Sequence, residues 1–344
     1  MRRASSENEQ KPEQTKRKKL KAREKRDKNM SQIILEPPSA PSVPAVPVAL
    51  VGEPERKPLT KKDISADHPT WCPGCGDFSV LAIFLKLLEK RNIQHERITT
   101  IAGIGCSSRF PYFVQSFGAH FIHGRSLPFA SGVSLSRPNL HPFVFGGDGD
   151  IFSIGGNHLN HAARKNIGLT LVVMDNWVYG LTKKQTSPTS PVGFRSKTDT
   201  GGAIDQPINP MKQLIAAGAS FVARATHTNP NHLLQMMEAA LDHEGFSVIE
   251  CLSECVEFYE GAFDPSNPRK GGAFNLVPAT HDVTDEVAAY KLADAPFPGY
   301  FGIFYNASRP SKNQLEAGLI AAARKKVAGK KDWEILQDTF NRLK

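Results

Sequence analysis

The chain has 344 residues, 40% hydrophobic and 22% charged, with a formal net charge of +9. That is the composition of a soluble globular protein with room for one large or two ordinary domains, and no apolar run is long enough to span a membrane. Residues 1–30 hold 12 Lys or Arg against 5 Asp or Glu, so the other 314 residues carry only +2, and the charge does not mark the folded body as a binder of nucleic acid.

Taken in order, residues 1–30 are polar and lysine-rich, and a solvated, disordered tail is expected. They lack the apolar core of a secretory signal and hold too many acids for a transit peptide. Met30 opens a different composition and reads as an alternative start. Pro37, Pro38, Pro41, Pro44 and Pro47 mark an extended linker up to 58. The expected organisation is tail and linker over 1–58, a folded body over 59–270, and a C-terminal extension with two helices over 271–344. No internal repeat is present.

In the body, Trp71-Cys-Pro-Gly-Cys-Gly76 precedes a helix expected over 77–91, N-capped by Asp77 and apolar on both sides, hence largely buried. A strand over 97–102 ends in Gly103-Ile-Gly-Cys106, which lacks the third glycine of a dinucleotide fingerprint. His123-Gly-Arg-Ser-Leu-Pro128 reads as a loop entering a helix. The apolar strand 141–147 then breaks into Gly147-Asp-Gly-Asp150, a helix follows over 154–166, and strand 169–175 runs into Asn176-Trp-Val178. Such a strand–helix–strand unit places both polar clusters at the carboxyl edge of neighbouring parallel strands, where ligand sites form. An Asp carboxylate, an Asn oxygen and a backbone carbonyl make a hard oxygen set suited to Mg²⁺, and the glycines allow a diphosphate to approach. An EF-hand is excluded, because Phe152 and Ser153 stand where a ligand and a glycine are needed.

Residues 179–205, rich in Thr, Ser, Pro and Gly, are too long for a simple connector. Helix 211–218, strand 220–225, helix 230–243 and strand 246–251 restore the alternation. The pattern decays after 256, and helices over 312–328 and 332–343 close the chain. The alternation predicts an α/β fold, a doubly wound and mainly parallel sheet with helices on both faces.

Five cysteines, an odd number without a secretory signal, argue for a reducing cytoplasm rather than a disulfide framework. Cys72 and Cys75 can grip one metal centre, and Cys106 recurs in a second glycine turn at a strand end. Zinc, a redox pair and inert buried thiols all stay open on spacing alone. Cys251 lies in an apolar strand as an ordinary core residue would. Cys255 lies beyond it, near the edge where the other three should converge, and is the expected fourth ligand.

Gly147-Asp148-Gly149 followed 28 residues after the Asp by Asn176 resembles the thiamine-diphosphate motif. With the two cysteine motifs, His123-Gly-Arg125 and Val178-Tyr-Gly-Leu-Thr182, residues 60–310 resemble the beta subunit of 2-oxoacid:ferredoxin oxidoreductases. The resemblance implies the thiamine-diphosphate-binding fold and a 4Fe–4S cluster on Cys72, Cys75, Cys106 and Cys255. It implies Mg²⁺ on Asp148, Asn176 and the Val178 carbonyl, and Gly147, Gly149, Asp150, Gly180, Leu181 and Thr182 around the diphosphate. It makes His123 and Arg125 candidates for phosphate or substrate contact. The implied reaction is oxidative decarboxylation of a 2-oxoacid to acyl-CoA, with electrons passed to ferredoxin and an alpha subunit completing the site, as a heterodimer or α2β2 assembly. Arg109 and Lys183, two cations near the expected pocket, suit a dicarboxylate and favour 2-oxoglutarate over pyruvate. Other readings are a non-oxidative thiamine-dependent decarboxylase, which needs no cluster, and a zinc-bearing binding module with a nucleic-acid tail. The sequence departs from the family at Lys184, usually glycine, and at Glu254, usually proline. An acid beside the sulfurs is expected to lower a cluster's potential.

Overall fold

A computed structural model describes residues 57–343; the basic tail and nearly all of the proline-rich linker lie outside the described residues. The elements are α1 (Lys61–Ile64), α2 (Asp77–Lys90), β1 (Ile98–Ala102), β2 (Phe117–His120), α3 (Ser126–Ser136), β3 (His141–Gly147), α4 (Gly156–Lys165), β4 (Leu169–Asp175), α5 (Pro210–Ala216), β5 (Phe221–Thr226), α6 (Pro230–Asp242), β6 (Phe246–Leu252), α7 (Glu286–Leu292), β7 (Gly302–Asn306), α8 (Lys312–Lys326) and α9 (Asp332–Leu343).

The strands form one sheet in the order β2-β1-β3-β4-β6-β5-β7, parallel throughout except for β7 against β5. From β1 the chain steps to β2 on one side and then to β3 on the other. The order therefore reverses between β1 and β3, and a crevice opens beyond their carboxyl ends. β3 and β4 are neighbours, with Gly147 opposite Met174. Central strands are buried on both faces, as near-continuous apolar runs require. Phe143, Phe145, Val172 and Met174 join α2 and α6 on one face, while Val144, Leu171 and Val173 join α3, α4 and α5 on the other, following the two-residue repeat of a strand. Among the described residues no helix is long and apolar enough to cross a membrane.

Several expectations shift. Gly76, not Asp77, is the N-cap of α2; the Asp77 carboxylate instead accepts a bond from Ser253 Oγ at 2.7 Å, so a tertiary partner has taken the oxygen a cap would use. The helix expected from 154 is preceded by a π-helical turn over Gly149–Ile154, which carries the second half of the Gly-Asp-Gly-Asp motif. The stretch after 256 contributes α7 and the antiparallel strand β7, both too short and too interrupted by Pro and Gly to show a period. Helices α8 and α9 bury no residue.

Phe84 of α2 is fully buried, its ring 4.9–5.6 Å from those of Phe110, Phe143 and Phe145. Phe84→Ala should cost about 3–5 kcal/mol in urea denaturation, as cavities of that size do. A loss below about 1 kcal/mol would mean that this layer carries little of the stability.

Candidate functional site

Four of the five cysteines line one cavity of about 180 Å³ at the carboxyl edge of the sheet: Cys72, Cys75, Cys106 and Cys255. They come from three local devices: one turn holding Cys72 and Cys75, the turn after β1 holding Cys106, and the segment after β6 holding Cys255. The Cys72–Cys75 turn closes by a bond from Cys75 N to Cys72 O, and Gly74 adopts φ +86°, a conformation natural to glycine. Trp71 Nε1 donates to Cys106 O at 2.7 Å, which ties that turn to the end of β1. Gly76 N donates to Glu254 O at 3.1 Å, tying it to the segment after β6. A Cβ on Gly76 would sit 2.7 Å from Glu254 N, so only glycine fits there. Cys251 points elsewhere: it is fully buried in β6, opposite Met174 and Ala225. Burial pushes the Cys75 thiol far up, the Cys106 thiol up to about 12, and the Cys255 thiol up as well. The carboxylate of Asp77 adds to each shift. Glu254 does not aim at the sulfurs as expected. Its Oε1 accepts the Gly261 N–H at 2.5 Å, closing the turn after β6.

A second cavity, of about 80 Å³, adjoins the first and shares Cys106, Asn176, Gly180 and Leu181 with it. It lies beyond the ends of β1, β3 and β4, at the order reversal. Here Asp148 is 2% exposed, and its Oδ2 accepts the Thr189 hydroxyl at 2.8 Å. The same hydroxyl lies 2.9 Å from Oδ1 of Asp175, the last residue of β4. Asp175 Oδ1 also accepts the Trp177 N–H, whereas its Oδ2 is buried without a partner. Burial raises both carboxyls, and Asp175 rises well above the usual range because Asp148 and Glu250 add their charge. Asn176 Oδ1 accepts the Val178 N–H at 3.2 Å. Between them Trp177 stands at φ +60°, a strained backbone for a tryptophan, with its ring 4.7 Å from Phe263 and 4.9 Å from Phe297.

Asp150 lines this cavity, yet its Oδ1 accepts from Ile104 N at 3.1 Å and Gly124 N at 2.7 Å and also pairs with His123 Nδ1. It fastens the loops after β1 and before α3 to the end of β3, and it presents His123 to the cavity. Gly147, Gly149, Val178 and Thr182 also line it. Gly149 has no room for a side chain, because the Tyr179 ring fills that place and donates its hydroxyl to Gly149 O at 3.1 Å.

Three expected residues sit apart from this second cavity. Arg125 reaches the carbonyls of Gly124 and Ile154 at 3.5 Å and does not line it. Arg109 and Lys183 line the thiol cavity instead, Lys183 Nζ standing 5.9 Å from the Phe258 ring centre. Lys183 and Lys184 have φ of +77° and +72°, so Lys184 keeps the left-handed backbone for which a glycine is the natural choice. Asp175, Thr189 and Tyr179 were missed as site residues. Asp175 reads as a strand end, and nothing in sequence separates Thr189 from the other hydroxyls of its loop.

A carboxyl whose pKa is raised on folding costs stability once pH exceeds its unfolded value near 3.8, and the cost grows up to the folded value. Metal-free Asp175→Asn protein should therefore be more stable than the parent at pH 8, with the gap closing towards pH 4 in urea titrations. A gap that widens on acidification would reverse the assignment.

Residues 103–251 match the thiamine pyrophosphate enzyme, C-terminal TPP binding domain. Over 218 residues the chain is 44% identical to the 2-oxoglutarate oxidoreductase subunit KorB of Mycobacterium tuberculosis, spanning 63% of this chain and 58% of that relative. It is 42% identical over 196 residues to the 2-oxoglutarate synthase subunit KorB of Methanocaldococcus jannaschii, 57% of this chain and 72% of that subunit. The solved 2-oxoglutarate:ferredoxin oxidoreductase from Magnetococcus marinus, with 2-oxoglutarate, coenzyme A and succinyl-CoA bound, superposes with a TM-score of 0.75 at 36% identity, over 82% of this chain and 97% of that one. Agreement across nearly all of a solved chain, and across most of an archaeal subunit, leaves one placement: the chain belongs to the beta-subunit family of 2-oxoacid:ferredoxin oxidoreductases.

Proposed function

We propose that this chain is the cofactor-bearing half of a 2-oxoacid:ferredoxin oxidoreductase acting on 2-oxoglutarate, with pyruvate as second choice. One observation carries the reading: the cavity lined by Asp148 and Asn176 lies next to the cavity lined by four thiols, with Cys106, Asn176, Gly180 and Leu181 common to both.

The donor sets fit the implied groups. Asp148 is a buried carboxyl held by a neutral hydroxyl, and the Asn176 amide and Val178 carbonyl add neutral oxygens, a set suited to Mg²⁺. Gly147 and Gly149, with Gly180, Leu181 and Thr182 opposite, would admit the diphosphate of thiamine diphosphate. Among the described residues no three His, Cys, Asp or Glu side chains are grouped to hold a single ion. A zinc bound at about 2.3 Å would need the sulfurs drawn tightly together, so thiols spread around a cavity suit a polynuclear 4Fe–4S cluster better. When bound, thiamine diphosphate supplies the electron sink for decarboxylation, and the cluster carries single electrons towards ferredoxin.

The chain's own residues have simpler tasks. Asp150 holds His123 by Nδ1, which leaves Nε2 to exchange a proton within the cavity. The Tyr179 hydroxyl bonded to Gly149 O and the Trp177 ring against Phe263 and Phe297 hold the motif loops in place. Arg109 and Lys183 line the thiol cavity that adjoins the cofactor cavity, and a distal carboxylate can pair with one of them there. Relatives named for 2-oxoglutarate support that substrate. Coenzyme A accepts the acyl group in this reading. An alpha subunit provides the carboxylate that activates the cofactor's aminopyrimidine, so the chain works in a heteromer, in the reducing cytoplasm.

The anaerobic heteromer should be brown, and 2-oxoglutarate with coenzyme A should bleach it with a higher kcat/KM than pyruvate does; Lys183→Ala should narrow that difference. A colourless protein, or a preference for pyruvate, would sink the corresponding half of the proposal. Asp148→Ala should abolish cofactor-dependent turnover while the fold survives, and full activity at limiting Mg²⁺ would exclude it as a ligand. For the cluster, Cys255→Ser should lose iron, sulfide and the reduced-state paramagnetic signal, whereas Cys251→Ser should keep all three; exchanged results would overturn the ligand set.

A further inference from the structure

We infer that Ser187-Pro-Thr-Ser190, in the long loop after the Asn176 motif, is a hydroxyl latch whose Thr189 and Ser190 position both halves of the metal site, and the inference rests on the reading above. Thr189 Oγ1 reaches Asp148 Oδ2 at 2.8 Å and Asp175 Oδ1 at 2.9 Å, so one hydroxyl bridges the ends of β3 and β4. Ser190 Oγ donates to Trp177 O at 2.6 Å, within the peptide run that joins Asn176 to Val178. Both ligand-bearing segments thus hang from adjacent side chains of one loop.

The latch is itself well held. Ser187 N donates to Ser190 Oγ at 2.8 Å, and Ser187 Oγ lies 3.2 Å from the oxygens of both Thr189 and Ser190. Ile208 N anchors Pro188 O at 2.9 Å. Thr189 and Ser187 are 5% exposed and Ser190 is 2% exposed, so no solvent competes for these bonds. Buried hydroxyls could simply satisfy buried acceptors. What argues for positioning is the pairing of targets. One side chain holds the Asp of the first half-motif, and its neighbour holds the peptide at the left-handed Trp177, whose φ of +60° needs external support. The bond from Thr189 to Oδ2 fixes one edge of the Asp148 carboxylate and so limits its orientation towards a cation. Partners of this kind typically set metal affinity by about 10–100-fold.

The test uses the assembled heteromer stripped of Mg²⁺. Binding of Mg²⁺ at saturating thiamine diphosphate is measured by calorimetry, with iron content and the thermal midpoint recorded for each variant. Thr189→Val should raise the apparent Kd for Mg²⁺ about tenfold or more at unchanged iron content, and Thr189→Ser should restore it to within threefold of the parent. Thr189→Val binding within threefold of the parent, or a change in thermal midpoint alone, would overturn the latch. If Thr189→Val fails to assemble, Ser190→Ala is read by the same criterion. Parent enzyme that takes up no thiamine diphosphate would instead bring down the underlying functional reading, and the latch with it.

Discussion

The hydrogen-bond register between β3 and β4 is the constraint on which the rest depends. Because Gly147 lies opposite Met174, the next residues, Asp148 and Asp175, leave the sheet side by side at its carboxyl edge. A slip of one residue would turn every side chain of β3 to the other face and carry Asp148 away from Asn176. The register is held by alternate packing: Phe143 and Phe145 belong to one apolar layer and Val144 to the other. Burial of large apolar side chains thus fixes the position of a polar site that contributes nothing to the core.

That site is costly to build. Asp77, Asp148, Asp150 and Asp175 are each no more than 2% exposed, and burial raises the carboxyl pKa of Asp77, Asp148 and Asp175. The protein meets the cost with polar partners drawn from distant segments: Ser253 for Asp77, the one Thr189 hydroxyl shared between Asp148 and Asp175, and two backbone N–H groups with His123 for Asp150. Each donor also fastens a loop. The same bonds that make buried acids tolerable therefore bring the loop after β1, the loop before α3 and the segment after β6 to one edge.

Proximity of the two cavities follows from the same economy. Gly180 separates them, and a methyl group there would lie 3.5 Å from Cys255 Sγ and 3.7 Å from Cys106 Sγ. A bare backbone keeps the wall between the Asp148–Asn176 cavity and the thiols thin. The short separation is achieved by placing Cys106 and Asn176 at the ends of strands only one strand apart, with β3 between β1 and β4.

The sequence by itself determined the alternating α/β architecture, the Gly-Asp-Gly and Asn half-motifs on one strand–helix–strand unit, and the grouping of Cys72, Cys75 and Cys106 in glycine turns. These rest on local periods and turn chemistry, which survive in a single chain read end to end. It also marked Cys251 as a strand residue, since an apolar run of that length has one outcome in a parallel sheet. Tertiary structure alone decided what distant donors do. That Asp77 serves Ser253 rather than capping α2, that Glu254 closes its own turn, that Arg109 and Lys183 border the thiols, and that Thr189 reaches Asp148 across 41 residues are all choices among many equivalent acceptors and donors. Hydrogen-bonding side chains in a loop carry no period, so their partners are set only when the strands beneath them have been packed.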